Sequence, residues 1–289
     1  MVSLLCGLLA LVSGAPVQKD EWPVVALPDG KLLKVSTFAI GTEREVDRLK
    51  SSDASLIIIR TNGVGVATRN VVKALQNGPK GRRIVMVDFP LLAASPKNLT
   101  YWRHDWDAND DGKPDEDAPS WLGNRNKQGV YPFQSSSTAC RNVMLGPQGM
   151  VAKVVEAGFD GMVVTSLPIE KSRSGFDVKL VVDATIEGRK RRNGFSVILR
   201  DCVQYMDYPA IRNFLDGILV EGLYYGQDRP GTASNPKYTK DSERYVEWIL
   251  EKRRIALTTA YTSDAKQIDD NRKKCKELGV PTFVMPNRD

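Results

Sequence analysis

The stretch DANDDGKPDED, residues 107–117, places six carboxylates in eleven residues. Numbered from Asp107, oxygen-bearing side chains fall at positions 1 (Asp107), 3 (Asn109) and 5 (Asp111). Gly112 follows at 6, the carbonyl of Lys113 is available at 7, and Asp115 stands at 9. Alternate residues of a tight turn point inward, and calcium takes about six to eight hard oxygens, so this is the spacing of an EF-hand-type calcium loop. Position 12, where a bidentate Glu closes such loops, is Ala118, so Glu116 or Asp117 must stand in for it. The competing reading is a solvated acidic turn held by Asx hydrogen bonds. A calcium ion bound here is expected to be structural, fixing a long loop.

Other chemistries are narrowed by composition. His104 is the single histidine, which excludes multi-histidine zinc sites and the H-E-x-x-H peptidases. No G-x-S-x-G elbow is present. Cys140, Cys202 and Cys275 lack C-x-x-C spacing, and sequence alone does not choose a disulfide among them. No cofactor is expected for the chemistry itself. Aromatic residues are more informative, because their flat amphipathic rings suit sugar faces. Trp102, Trp121, Tyr224 and Tyr225 are candidate sugar contacts. The alternative packs Trp102, Trp106 and Trp121 as a small core under a loop and leaves the two tyrosines at a rim.

The elements that must position these residues follow from periodicity. Apolar runs rich in β-branched residues occur at 55–61, 83–89, 160–166, 195–201, 217–225, 255–261 and 282–286. Helical patterns lie between them, around 147–157, 177–190, 209–214, 241–252 and 264–277, with an amphipathic stretch through Val71, Val72 and Leu75. Continuous apolar strands separated by helices imply a parallel sheet covered on both faces. Seven strands are clear, and the eighth is either KVSTFAI (34–40) or WPVVAL (22–27). The predicted fold class is therefore α/β, a (β/α)8 TIM-type barrel with a long loop insertion, 91–142, after an early strand. An open doubly wound sheet is the runner-up, but NGVGVATRN (62–70) lacks its Gly-rich phosphate fingerprint.

The apolar N-terminus, ending at Ser13-Gly14-Ala15, reads as a secretory signal over 1–15, leaving 16–289 as one barrel domain. That points to a secreted, extracellular or periplasmic protein. No apolar run is long enough to span a bilayer. The net charge is +6, but three of the four basic clusters directly precede apolar runs, where they complement helix C-termini. Nucleic acid is accordingly not expected as a partner, and the chain is expected to be monomeric.

Four stretches then combine: YWRHDWDANDDGKPDEDAPSWLGNRN (101–126), GFDGMVV (158–164), DGILVEGLYYG (216–226) and IALTTAYT (255–262). In this order they resemble the glycoside hydrolase family 114 barrels, the endo-α-1,4-polygalactosaminidase-like group. The resemblance implies a TIM-type barrel acting on an amino-sugar polysaccharide or oligosaccharide, with carboxylates at strand C-termini. Glu221 matches the family's strand-ending Glu. Thr165 and Ala260 stand where the family has Asp, and Ala93-Ala94-Ser95 aligns with its Gly-Glu-Ala. A lone Glu221 cannot run a two-carboxylate mechanism. Asp88 in VMVDF and Asp201 after VILR are the candidates to complete it, being near strand ends; either could instead be an ion-pair partner of Arg60 or Arg200. Thr165 remains a candidate substrate contact. A glycoside hydrolase and a catalytically inactive carbohydrate-binding barrel are both consistent with these residues.

Overall fold

The computed structural model describes residues 24–26, 32–60, 67–96, 103–127, 129–165, 174–201 and 203–287. The predicted signal, Trp102 and Cys202 lie outside the described residues. Within them, every expected apolar run forms a strand: β1 Phe38–Thr42, β2 Leu56–Arg60, β3 Ile84–Phe89 and β4 Gly161–Thr165. The second half supplies β5 Ser196–Arg200, β6 Gly217–Val220, β7 Ile255–Tyr261 and β8 Thr282–Met285. They line up in chain order in one sheet, each neighbouring pair parallel. The end strands β1 and β8 meet through Phe38 and Phe283, whose ring centroids are 5.9 Å apart. The result is a nearly closed eight-stranded barrel, as the alternation of strands and helices predicts.

The eighth strand comes from KVSTFAI, displaced toward its C-terminal end as β1. Val24–Ala26, in the rival segment, instead pairs antiparallel with Leu32–Lys34. Val25 and Val35 join the cluster that fills the barrel interior, with Phe38, Ile58, Met86 and Leu257. This short hairpin plugs the N-terminal end. Gly161 and Gly217 sit low in β4 and β6, where a Cβ would come within 2.2 Å of Ser196 O and 2.1 Å of Ile255 O respectively. The barrel taper tolerates only glycine there.

Helices cover the outside: α1 Val46–Ser51, α2 Arg69–Gln76, α3 Thr138–Leu145, α4 Met150–Glu156, α5 Ser174–Arg191, α6 Pro209–Phe214, α7 Pro236–Glu251 and α8 Ala265–Leu278. Helix α7 starts earlier than its apolar periodicity, because Asn235 caps it through Lys237 N at 2.9 Å and Pro236 occupies the first turn. None of the described helices is long and apolar enough to cross a membrane.

The basic clusters act at the bottom of the barrel. Asp160, just before β4, is bonded by Arg82 Nη2 at 2.6 Å and Arg192 Nη2 at 2.7 Å, and it accepts Val85 N–H at 2.9 Å. Arg189 Nη2 bonds Asp216 at 2.8 Å. These cations tie helix ends to strand starts. Cys140 on α3 and Cys275 on α8 are buried. Cys275 is a free thiol 3.4 Å from Thr258 Oγ1, which takes it out of any internal disulfide.

Candidate active site at the barrel mouth

Alternation along the strands decides which side chains face the lumen. Interior apolar residues Ile58, Met86, Val163, Ile198 and Leu219 belong to one cluster. Two residues further on stand Arg60, Asp88, Thr165, Arg200 and Glu221. On β7 the same row is Leu257, Thr259 and Tyr261. The top layer of the barrel interior is thus polar and charged, at the C-terminal end where barrel active sites lie.

These side chains bond to one another. Thr165 Oγ1 donates to Asp88 Oδ1 at 3.0 Å, and Arg200 Nη1 donates to Asp88 Oδ2. Arg60 approaches Asp88 Oδ2 at 3.9 Å and Glu221 Oε1 at 3.5 Å. Arg200 Nε lies 3.9 Å from Glu221 Oε1, and Tyr261 donates its hydroxyl to the same oxygen at 2.6 Å. Two guanidinium groups therefore bridge two carboxylates contributed by β3 and by the end of β6.

Local backbone explains why Glu221 points here. Its N–H donates to Asp201 Oδ1 at 3.0 Å, and its carbonyl accepts the Tyr238 hydroxyl at 2.7 Å. Gly222 then turns the chain with φ +62, and a Cβ there would come within 2.5 Å of Gln227 N. Asp201 itself is left-handed at φ 51. It serves the site by holding the Glu221 backbone.

Burial sets the electrostatics. Asp88 is 7% exposed and Glu221 5%, so both lie on the floor of the mouth. Burial works against the charge of Arg200, but Asp88, Glu221 and Asp201 outweigh it and raise its pKa. Burial, followed by the charge of Glu221, pushes the Tyr261 hydroxyl well above its ordinary range. Tyr261 therefore stays a proton-bearing donor to Glu221. A fixed anion flanked by hydrogen-bond donors can stabilise positive charge developing on a bound group.

The other candidate residues are dispersed. Thr165 belongs to the cluster through Asp88. Tyr224 and Tyr225 do not join it: their hydroxyls are bonded to Glu243 of α7 at 2.8 Å and Asp270 of α8 at 2.6 Å. Lys274 lies over both rings, at 5.3 and 5.6 Å. These tyrosines fasten the β6–α7 connection to the helical layer. Trp121 is buried, edge-on to Trp106 at 6.1 Å and to Phe133 at 5.0 Å. The satellite-core reading of Trp106 and Trp121 is the one their packing follows. Tyr261 went unnoticed in the sequence, although its spacing of four from Leu257 marks the lumen face.

The acidic loop lies in the β3–α3 excursion. Gly112 adopts φ 84 as the calcium-loop pattern requires of its sixth residue. Asn109 Oδ1 accepts Asp111 N–H at 3.0 Å, and Asp111 Oδ1 accepts Lys113 N–H at 2.8 Å. Asp115 Oδ2 accepts Ala108 N–H at 2.7 Å. Asp117 is exposed. Among the described residues, no three Asp, Glu, His or Cys side chains converge as a ready-made metal cluster.

No family model and no curated protein matches the sequence. Solved structures match the fold. The glycoside hydrolase domain of PelA from Pseudomonas aeruginosa superposes with a TM-score of 0.62 at 11% identity, over 86% of this chain and 94% of that domain. The spore cortex-lytic enzyme SleL of Bacillus cereus gives 0.51 at 8% identity, over 89% and 74%. Amy13B of Eubacterium rectale gives 0.53 at 9% identity, over 83% of this chain but 60% of that one. At such identities the likeness establishes the fold, a barrel of the kind found in glycoside hydrolase domains.

Proposed function

We propose that this chain is a secreted, glycoside-hydrolase-type barrel that takes an amino-sugar polysaccharide into its mouth, with Glu221 and Asp88 as the working carboxylates. The observation that carries this reading is the bridged pair itself: two carboxylates from β3 and the end of β6, held by Arg60 and Arg200 at the catalytic end of the barrel. The fold neighbours support it, and the sequence resemblance to glycoside hydrolase family 114 points to a galactosamine polymer. Among the described residues Asp201 adds a third carboxylate beside Arg200, and an acidic surplus suits an amino sugar carrying an ammonium. In this reading Glu221, bonded by Tyr261 and flanked by Arg60 and Arg200, faces the positive charge that develops at the anomeric carbon.

One observation favours a second reading, binding without turnover. Both members of the pair are engaged by Arg60 and Arg200, the ion-pair role that a structural carboxylate also fills. The deciding experiment is hydrolysis of a galactosamine-containing polymer by the wild type and by Glu221→Gln, with polymer binding measured in parallel. Turnover lost in Glu221→Gln supports the enzyme. Binding with no wild-type turnover supports the carbohydrate-binding barrel. Neither binding nor turnover overturns both.

A further inference from the structure

We propose that the Asp107–Asp115 loop is a calcium site, independent of the carboxylate pair at the mouth. Its spacing supplies hard oxygens at alternate positions, but an acidic stretch alone would be only a turn. A second observation comes from Asp107. This residue is 8% exposed, and its Oδ1 accepts no hydrogen bond among the described residues. Its Oδ2 is held by Gly112 N–H at 3.1 Å from across the turn, and by the Tyr131 hydroxyl. Asp107 is thus held by one donor within the loop and one beyond it, while its Oδ1 is buried with no donor among the described residues. Leaving a charged oxygen buried without a partner is costly. A cation is what relieves it.

The surrounding charges fit the same ligand. Arg125 is engaged with Asp110, whose carbonyl it also binds at 2.8 Å, and Arg103 pairs with Asp105 at 2.6 Å. Asp107, Asp111 and Asp115 have no ion pair among the described residues. The loop N–H groups engage one oxygen each of Asp111 and Asp115 and the amide oxygen of Asn109. The Asn109 and Asp111 bonds are Asx turns that fix the loop backbone, and Asp111 and Asp115 each keep a second oxygen that accepts none of these bonds. Calcium tolerates such flexible, mixed carboxylate, amide and carbonyl shells, whereas magnesium demands a tighter octahedron. The bound ion would join the loop to Tyr131, which pairs with Ala94 just beyond β3. It would thereby fasten the long insertion to the barrel.

The test uses the full chain, stripped with EGTA and then titrated with calcium chloride or magnesium chloride. Calcium is expected to bind with one-site stoichiometry by calorimetry. At a hundredfold excess over its Kd it is expected to raise the melting temperature by roughly 3–10 °C. EGTA should reverse the shift, and magnesium should give far less. Asp107→Asn and the exposed-site variant Asp111→Ala should each lose the shift; the second guards against a folding defect in the first. No heat and no shift in the wild type would overturn the proposal. So would an equal response to magnesium, or a calcium response that persists in Asp111→Ala.

Discussion

Removing Arg200 should cost the fold more than any surface ion pair could. In the wild type its guanidinium reaches Asp88 Oδ2 and Glu221 Oε1, and the side chains of Arg200 and Asp88 are 17% and 9% exposed. Arg200→Met keeps the length of the side chain and deletes the charge. Asp88 then retains Thr165 at 3.0 Å and Arg60 at 3.9 Å, and one guanidinium faces Asp88 and Glu221 together. Breaking a buried pair from one side costs about 3–5 kcal/mol. For a chain of this size that corresponds to a fall in melting temperature of roughly 6–20 °C. Asp88→Asn in the same background removes the stranded charge, so the double variant should recover about 1–3 kcal/mol relative to additivity. Urea denaturation of wild type, both single variants and the double variant gives the coupling directly. A loss below about 1 kcal/mol for Arg200→Met, the range of exposed pairs, would refute the bridged cluster. So would strict additivity.

Two further predictions concern the same layer and the floor of the barrel. The Tyr261 hydroxyl has a raised pKa in the folded chain, from burial first and the charge of Glu221 next. Its contribution is therefore intact below the unfolded value near 10 and is lost as pH climbs above it. Tyr261→Phe should flatten the decline in urea midpoint between about pH 10 and 11.5, and an unchanged slope would contradict the assigned burial. Gly217→Ala should fail to give a well-folded barrel or lose several kcal/mol, on the order of 3 or more, because its Cβ would sit 2.1 Å from Ile255 O. A wild-type melting curve for that variant would refute the tight packing of β5–β7 at the barrel floor.

The barrel was legible because each strand is a β-branched apolar run and each helix an amphipathic one, so period alone separates them. The strand that seals the barrel was harder. KVSTFAI and WPVVAL have similar composition, and only pairing partners distinguish β1 from the bottom hairpin. The insertion kept its order hidden, since Ala93–Ala94 and Tyr131–Pro132 form a ladder too short to leave a pattern. Within the site, the family resemblance singled out Glu221, strand ends singled out Asp88 and Asp201, and Arg60 and Arg200 were foreseeable as ion-pair partners. The sequence could not say that both arginines reach both members of the Asp88–Glu221 pair. That depends on how the ends of β2, β3, β5 and β6 converge across the lumen. Tyr224 and Tyr225 follow Glu221 directly and read as a rim, yet the turn at Gly222 swings them onto α7 and α8. Local sequence contains no sign of that reversal beyond the glycine itself.

The central claim is that sugar meets this protein where Arg60 and Arg200 bridge Asp88 and Glu221. A crystal structure with a galactosamine oligosaccharide bound tests it most directly. The account predicts a sugar ring above the mouth, with an atom within hydrogen-bonding reach of the Glu221 or Asp88 carboxylate. An oligosaccharide seated elsewhere on the barrel, with the mouth cluster untouched, would contradict it.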